Sequence, residues 1–217
     1  MKKVLSIVAL ATAMLIAGKA TAQLSVNGGL LGNVNSISYK YTDINGKEVK
    51  KDSTENAGIG LYAGVSYNLP ISQNWGIAPG VYLNYVGKNK EEKAYTVVLD
   101  MVDLNIPILF NYKHEFTGTF GIMGFVGPNV RYGLMANQTI KVKNPESVDK
   151  TNLYSTPAGA KDPYLTRFDL GLTFGVGVHF NAFRIETGFN VGLIDRDPEK
   201  NFTQNFHQFF VGVGYVF

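Results

Sequence analysis

From position 24 onward the chain alternates apolar and polar side chains with a period of two in eight stretches: 24–35, 58–69, 75–86, 97–113, 119–132, 165–180, 184–193 and 206–217. A period of two predicts strands with two unlike faces. In the sixth stretch Phe168, Leu170, Leu172, Phe174, Val176, Val178 and Phe180 share one face, while Asp169, Gly171, Thr173, Gly175, Gly177 and His179 share the other. The fourth sets Leu104, Ile106, Ile108, Phe110 and Tyr112 against Asp103, Asn105, Pro107, Asn111 and Lys113. Pro107 cannot donate to a ladder, so a local bulge is expected there.

The connections between these stretches alternate in length. Residues 70–74, 114–118 and 181–183 are short links, whereas 36–57, 87–96, 133–166 and 194–205 are long. An even number of strands joined alternately by short and long connections is the plan of an outer-membrane barrel, with short periplasmic turns and both chain ends on the periplasmic side. A water-soluble barrel would need a charged exterior. Here the less apolar face is mostly Gly, Asn, Ser, Thr and Tyr, most Lys and Glu fall in the connections, and the apolar face therefore meets lipid. Small residues also suit the narrow interior of eight strands. The fold class predicted is all-β, an eight-stranded antiparallel up-and-down transmembrane β-barrel. Trp75, Tyr67 and Tyr112, beside the short links, are expected in an aromatic girdle.

The two ends of the chain agree with this reading. Lys2 and Lys3 precede an apolar run from 4 to 17, and Ala20-Thr21-Ala22 supplies a small-residue cleavage site, so 1–22 is read as a signal peptide and 23–217 as one barrel domain. The apolar run is shorter than the ~20 residues that a spanning helix needs. At the other end Phe209, Val211, Val213, Tyr215 and Phe217 share one face of a strand that runs to an aromatic terminus. This pattern resembles the C-terminal signal of outer-membrane barrels, which the assembly machinery reads.

Charge and cysteine content mainly exclude. The formal charge is +3, but the leader holds three of the 20 basic residues and no acid, leaving 17 basic against 17 acidic. A neutral chain gives no argument for nucleic acid. With no Cys there is no disulfide, thiolate chemistry or lipid-modified cysteine.

Several segments carry a family resemblance: Asp103-Leu-Asn-Ile-Pro-Ile-Leu-Phe-Asn-Tyr, Gly124-Phe-Val-Gly-Pro-Asn-Val, Phe168-Asp-Leu-Gly-Leu-Thr-Phe-Gly-Val-Gly-Val and Thr187-Gly-Phe-Asn-Val-Gly-Leu. They resemble the PorT-like outer-membrane β-barrel family in content and in order. The resemblance implies a barrel in the outer membrane of a Gram-negative cell. It identifies the scaffold better than the task, because the family holds many barrels of unknown role beside the secretion-associated member after which it is named.

Seven charged or titratable residues are expected inside the barrel: Asp103, Lys113, Arg131, Asp169, His179, Arg184 and Glu186. Charges in a narrow lumen must be paired, so a structural ion-pair and hydrogen-bond network is the first reading and a selective ion path the second. Arg184 and Glu186 lie two apart on one strand, which suits mutual or cross-strand pairing. No catalytic residue is assigned. The three histidines, His114 in a tight turn, His179 in the interior and His207 on the lipid face, lack a serine and acid in suitable register. No metal site or cofactor is expected either. Asp43-Ile-Asn-Gly lacks the later ligands of a calcium loop, Asp195-Arg-Asp-Pro sets a cation between its acids, and both are read as turns.

The function expected is that of a non-enzymatic barrel with a structural or loop-mediated binding role, with a narrow channel or a lipid-modifying enzyme as alternatives. Expected partners are outer-membrane lipid, the assembly machinery during biogenesis, and an extracellular or envelope protein docking on loop 133–166; the barrel is expected to be monomeric. That loop is read as solvated and dispensable for folding.

Overall fold

The computed structural model describes residues 23–44, 46–143, 146–198 and 202–217; the leader read over 1–22 lies outside the described residues. The described strands are β1 (Gln23–Thr42), β2 (Glu48–Pro70), β3 (Trp75–Glu91), β4 (Tyr95–Thr117), β5 (Phe120–Lys143), β6 (Glu146–Asn152), β7 (Phe168–Phe180), β8 (Phe183–Gly192) and β9 (Phe202–Val216). Eight of them close a ring in the order β1-β2-β3-β4-β5-β7-β8-β9, with β9 pairing back on β1. Every pairing is antiparallel. Closure answers the central demand of a lipid environment, where each unpaired backbone group costs several kcal/mol and no sheet edge is tolerated.

The apolar face points outward. Leu30, Leu61, Leu83, Ile108, Phe174 and Val213 are exposed, while Asn27, Asn84, Asn129, Asp169 and Gln208 are buried in the interior. A polar interior beneath an apolar wall inverts the arrangement of a water-soluble domain and matches a wall facing hydrocarbon. At the short-turn end Trp75 and Tyr112 pair across β3 and β4 with ring centroids 4.9 Å apart. Tyr215 packs against Phe183 at 5.3 Å and Phe217 at 5.0 Å, continuing the aromatic rim on the far side.

Four details depart from the sequence expectation. The long connections are largely strand: β1 and β2 stay paired out to Thr42 and Glu48, and β4 and β5 out to Tyr95 and Val142. The fifth connection contains β6, which pairs with β5 alone and stands outside the ring. The bulge expected at Pro107 lies four residues earlier, between Val102 and Asp103, although the β3–β4 ladder does lapse between Ile108 and Asn105, where Pro107 has no N–H to give. His114, expected in a tight turn, sits near the end of β4.

A second irregularity divides the barrel from what stands above it. The β1–β2 register shifts at Asn33/Val34, opposite Gly58. Gly58 takes φ +134, a region L side chains rarely adopt, and a Cβ there would lie 2.5 Å from the Gly87 carbonyl oxygen. The last β2–β3 rung, Ile59 with Gly87, is beside it. Above this point β2-β1-β9, with β9 paired to β1 as far as Tyr39–Phe202, forms one projecting blade, and β3-β4-β5-β6 forms another.

Candidate functional site

The interior is a stack of four layers. Nearest the short turns, Lys113, His179, Arg184 and Glu186 occupy a polar cup. Arg184 Nη2 donates to Asn27 Oδ1, and Asn27 Nδ2 donates to Ser66 Oγ at 3.2 Å and Tyr82 Oη at 3.1 Å. Arg184 Nε lies 3.1 Å from Glu186 Oε2, but its N–H makes no hydrogen bond, so the attraction there is coulombic. Tyr62 Oη donates weakly to Glu186 Oε1 at 3.5 Å. A cavity of about 300 Å³ runs up this cup from the short-turn end, where Gln23, Asn181, Ala182 and Phe217 line it.

Above the cup an aromatic layer narrows the lumen. Tyr62 meets Tyr82 at 6.1 Å and Phe210 at 5.7 Å, Phe125 stacks on Phe210 at 6.3 Å, and Leu31, Val86 and Met123 fill between them. A belt of amides follows. Gln208 Oε1 accepts from Asn84 Nδ2 and Asn190 Nδ2, each at 3.3 Å, and Thr173 Oγ1 donates to Asn190 Oδ1 at 2.7 Å.

The fourth layer closes the outer end. Arg131 and Asp169 face each other directly across β5 and β7 as a hydrogen-bonded ion pair, with exposures of 1% and 0%. Arg131 Nη2 also donates to the Phe206 carbonyl at 2.6 Å. Asp103 is buried close enough to act on Arg131, with no partner for its Oδ1. Over these charges lies a lid made of Tyr154, Leu165, Phe206, Met101 and Ala136. Arg196, 1% exposed, pins the lid: Nη2 donates to Tyr154 Oη at 2.8 Å, Nε to the Thr166 carbonyl at 3.1 Å, and its guanidinium lies 4.7 Å over the Phe206 ring. Arg167 also lies over the Tyr154 ring, at 4.5 Å. Gly133 makes room for this, since a Cβ there would come within 1.9 Å of Tyr154 Oη.

The structure thus brings Arg131 to Asp169 near Asp103, and Arg184 to Glu186 beside Lys113 and His179, in two groups at opposite ends of the lumen. Phe209, Val211, Val213, Tyr215 and Phe217 form the exposed face of β9 and the residue after it. The principal residues missed from the sequence are Arg196 and Tyr154. Arg196 lies in the motif read as a turn; Asp195 does cap one, accepting from Asp197 N at 3.0 Å and Gln204 N at 2.8 Å, but the arginine between points into the lumen. The available signals for the lid were the apolar pairs Leu153-Tyr154 and Tyr164-Leu165 in a mostly polar segment. Loop 133–166 is accordingly not a free solvated loop: it runs out and back as β5–β6, then folds inward at Tyr154 and Leu165.

A family model described as "Outer membrane protein beta-barrel domain" matches residues 19–197. No curated protein matches the chain. Among solved structures, the chain is similar to Neisserial surface protein A at 11% identity and TM-score 0.43, covering 92% of this chain and 99% of that one. OprG from Pseudomonas aeruginosa gives 14% identity and TM-score 0.43 over 92% and 98% of the two chains. The attachment invasion locus protein of Yersinia pestis gives 12% and 0.42 over 91% and 100%. At such identities and scores, no conclusion about role rests on these likenesses.

Proposed function

The chain belongs to the outer membrane protein beta-barrel domain family, and on that premise we propose a closed, non-enzymatic barrel that serves as a rigid mount for binding by its outer blades. The observation that carries this reading is the contrast at the outer end. The lumen is stopped by the Arg131–Asp169 pair and the Arg196-pinned lid, while β3 to β6 continue beyond it as paired strands. A sealed bore leaves little for conduction. A sheet held at its base by a closed ring keeps its outer residues in fixed relation, which favours recognition. At the far end of this blade the Lys143 ammonium sits 2.6 Å from the Glu91 carboxylate and holds that carboxyl below its usual range, tying β5 to β3 across β4. The segments quoted above favour the PorT-like branch, in which a role within an envelope or secretion assembly is expected; a leader cleaved before Gln23 delivers the chain, and assembly machinery reads the outward face of β9.

The test has two arms. Purified barrel in planar bilayers is expected to show no steady conductance, and recovery of envelope or external proteins from native membranes is expected to depend on residues 138–151 of the β5–β6 hairpin. A reproducible open channel in the intact protein would replace this reading with transport. Full partner recovery after the hairpin is trimmed would remove the β5–β6 hairpin as the binding element.

A further inference from the structure

The cup at the short-turn end has no part in the reading above, and it holds buried donor nitrogens without hydrogen-bond partners. Glu186 is engaged by Arg184 and Tyr62. Lys113, half-buried on β4, forms no salt bridge among the described residues. His179, 8% exposed, has an Nε2 with no hydrogen-bond partner. The register sets these groups together. His179 is directly opposite Arg184 on β8 and Gly121 on β5, while Lys113 is opposite Met123, two residues along β5. Gly121 contributes no side chain to the gap; a Cβ there would lie 2.5 Å from His179 Nε2. Glu115, opposite Gly121, is exposed at the rim. Two cations and one neutral-capable donor, with Glu186 engaged inside and Glu115 at the rim, thus face a cavity of about 300 Å³ that passes Tyr62, Phe125 and Phe210 and continues to Asn84, Asn105 and Asn190.

We infer that the cup is a binding site for a small anionic amphiphile, with a carboxylate or phosphate head held by Lys113, His179 and Arg184 and an apolar body laid against Met123, Phe125 and Phe210. The polar part of such a ligand satisfies donors that otherwise have no hydrogen-bond partner, and its apolar part covers the rings that line the middle of the cavity. The volume matches the lower end of small-molecule pockets, about 300 Å³. The opening is at the short-turn end, the periplasmic side of an outer-membrane barrel, so the ligand arrives from that compartment or from the adjoining lipid leaflet.

The methionines supply internal reporters: Met123 lines the cup, Met101 belongs to the outer lid, and Met135 is exposed on the outer wall. With methyl-labelled barrel in phosphatidylcholine nanodiscs, phenyl phosphate and octanoate are titrated as soluble and lipid-derived versions of the same chemistry, and benzyl alcohol as the uncharged control. Saturable movement of the Met123 methyl alone by either anion is expected, and the better of the two names the source. Lys113→Gln should weaken it by about tenfold or more, and Lys113→Arg should retain it, since a charge-assisted contact is lost in one and kept in the other. Unchanged Met101 and Met135 signals establish that each variant is folded. No Met123 response to either anion, an equal response to benzyl alcohol, or undiminished affinity in Lys113→Gln would overturn the proposal. Each of these outcomes is independent of whether the outer blades bind a partner.

Discussion

Arg131, Asp169, Asp103 and Arg196 place two guanidinium and two carboxylate groups near one another at the outer end, a balanced set in a region with little water. Balance matters more than number, because the charge left behind when one partner is removed has no solvent to relax into. Asp169→Asn is therefore expected to lower stability by roughly 3–5 kcal/mol, while Arg131→Met with Asp169→Leu recovers most of the loss. Urea unfolding in phospholipid vesicles measures both, and equal midpoints for wild type and Asp169→Asn would mean that the layer is wet. Gly133→Ala tests the lid by volume. Its Cβ would press on Tyr154 Oη, at an expected cost of about 1–3 kcal/mol that disappears in a Tyr154→Ala background. At this scale the sequence was legible as far as period two reaches. Alternation alone puts Asp103 and Asp169 on the inward face, but it says nothing of who faces whom. The Arg131–Asp169 rung depends on a register set across a 24-residue strand and a long connection. Arg196 and Tyr154 lie in segments with no period, where a polar motif can hide an inward side chain.

Strands that run well past the apolar belt change what a connection means. The segment 133–166 divides into a projecting hairpin and a returning lid, and the two should respond differently to truncation. Trimming 138–151 to a Gly-Ser turn is expected to leave the unfolding midpoint nearly unchanged, since loop length contributes little to closure entropy. Extending the cut through 137–162 removes Tyr154, strands the buried Arg196 and should both destabilise the barrel and raise its permeability to small solutes. Identical melting and permeability for the two truncations would show that the lid holds nothing. The strand cores were legible because their apolar faces meet lipid over a fixed thickness. Their outer extensions, such as Lys40 to Thr42 or residues 137–143, carry mixed polar sequence exposed to water on much of their surface, and pairing there is dictated by the continuing ladder rather than by any hydrophobic pattern.

For the molecule as a whole, the outward face of β9 joins the lipid-facing wall to the closing seam with β1. Near a membrane interface a charge on that wall costs only about 0–1 kcal/mol, so the terminal aromatics contribute little to the stability of a finished barrel. Deleting Phe217, or replacing Tyr215 and Phe217 together by Asp, is accordingly expected to leave export and the melting of inserted protein nearly unaltered while sharply reducing the inserted fraction. Fractionation with gel mobility of unheated samples separates these quantities, and normal insertion of both variants would show that the terminus is not read during assembly.

The position of Arg196 also determines which strands carry the lid. It lies on the connection between β8 and β9, whereas Tyr154 belongs to the connection before β7. The latch and its keeper thus flank one hairpin, β7–β8, whose ladder continues through Leu193 N to the Leu170 carbonyl and Thr166 N to the Arg196 carbonyl and brings the two together. Phe206 joins the latch when β9 pairs with β8, so the last three strands carry the stopper between them, and the seam of β9 with β1 closes the wall around a plug that does not depend on it.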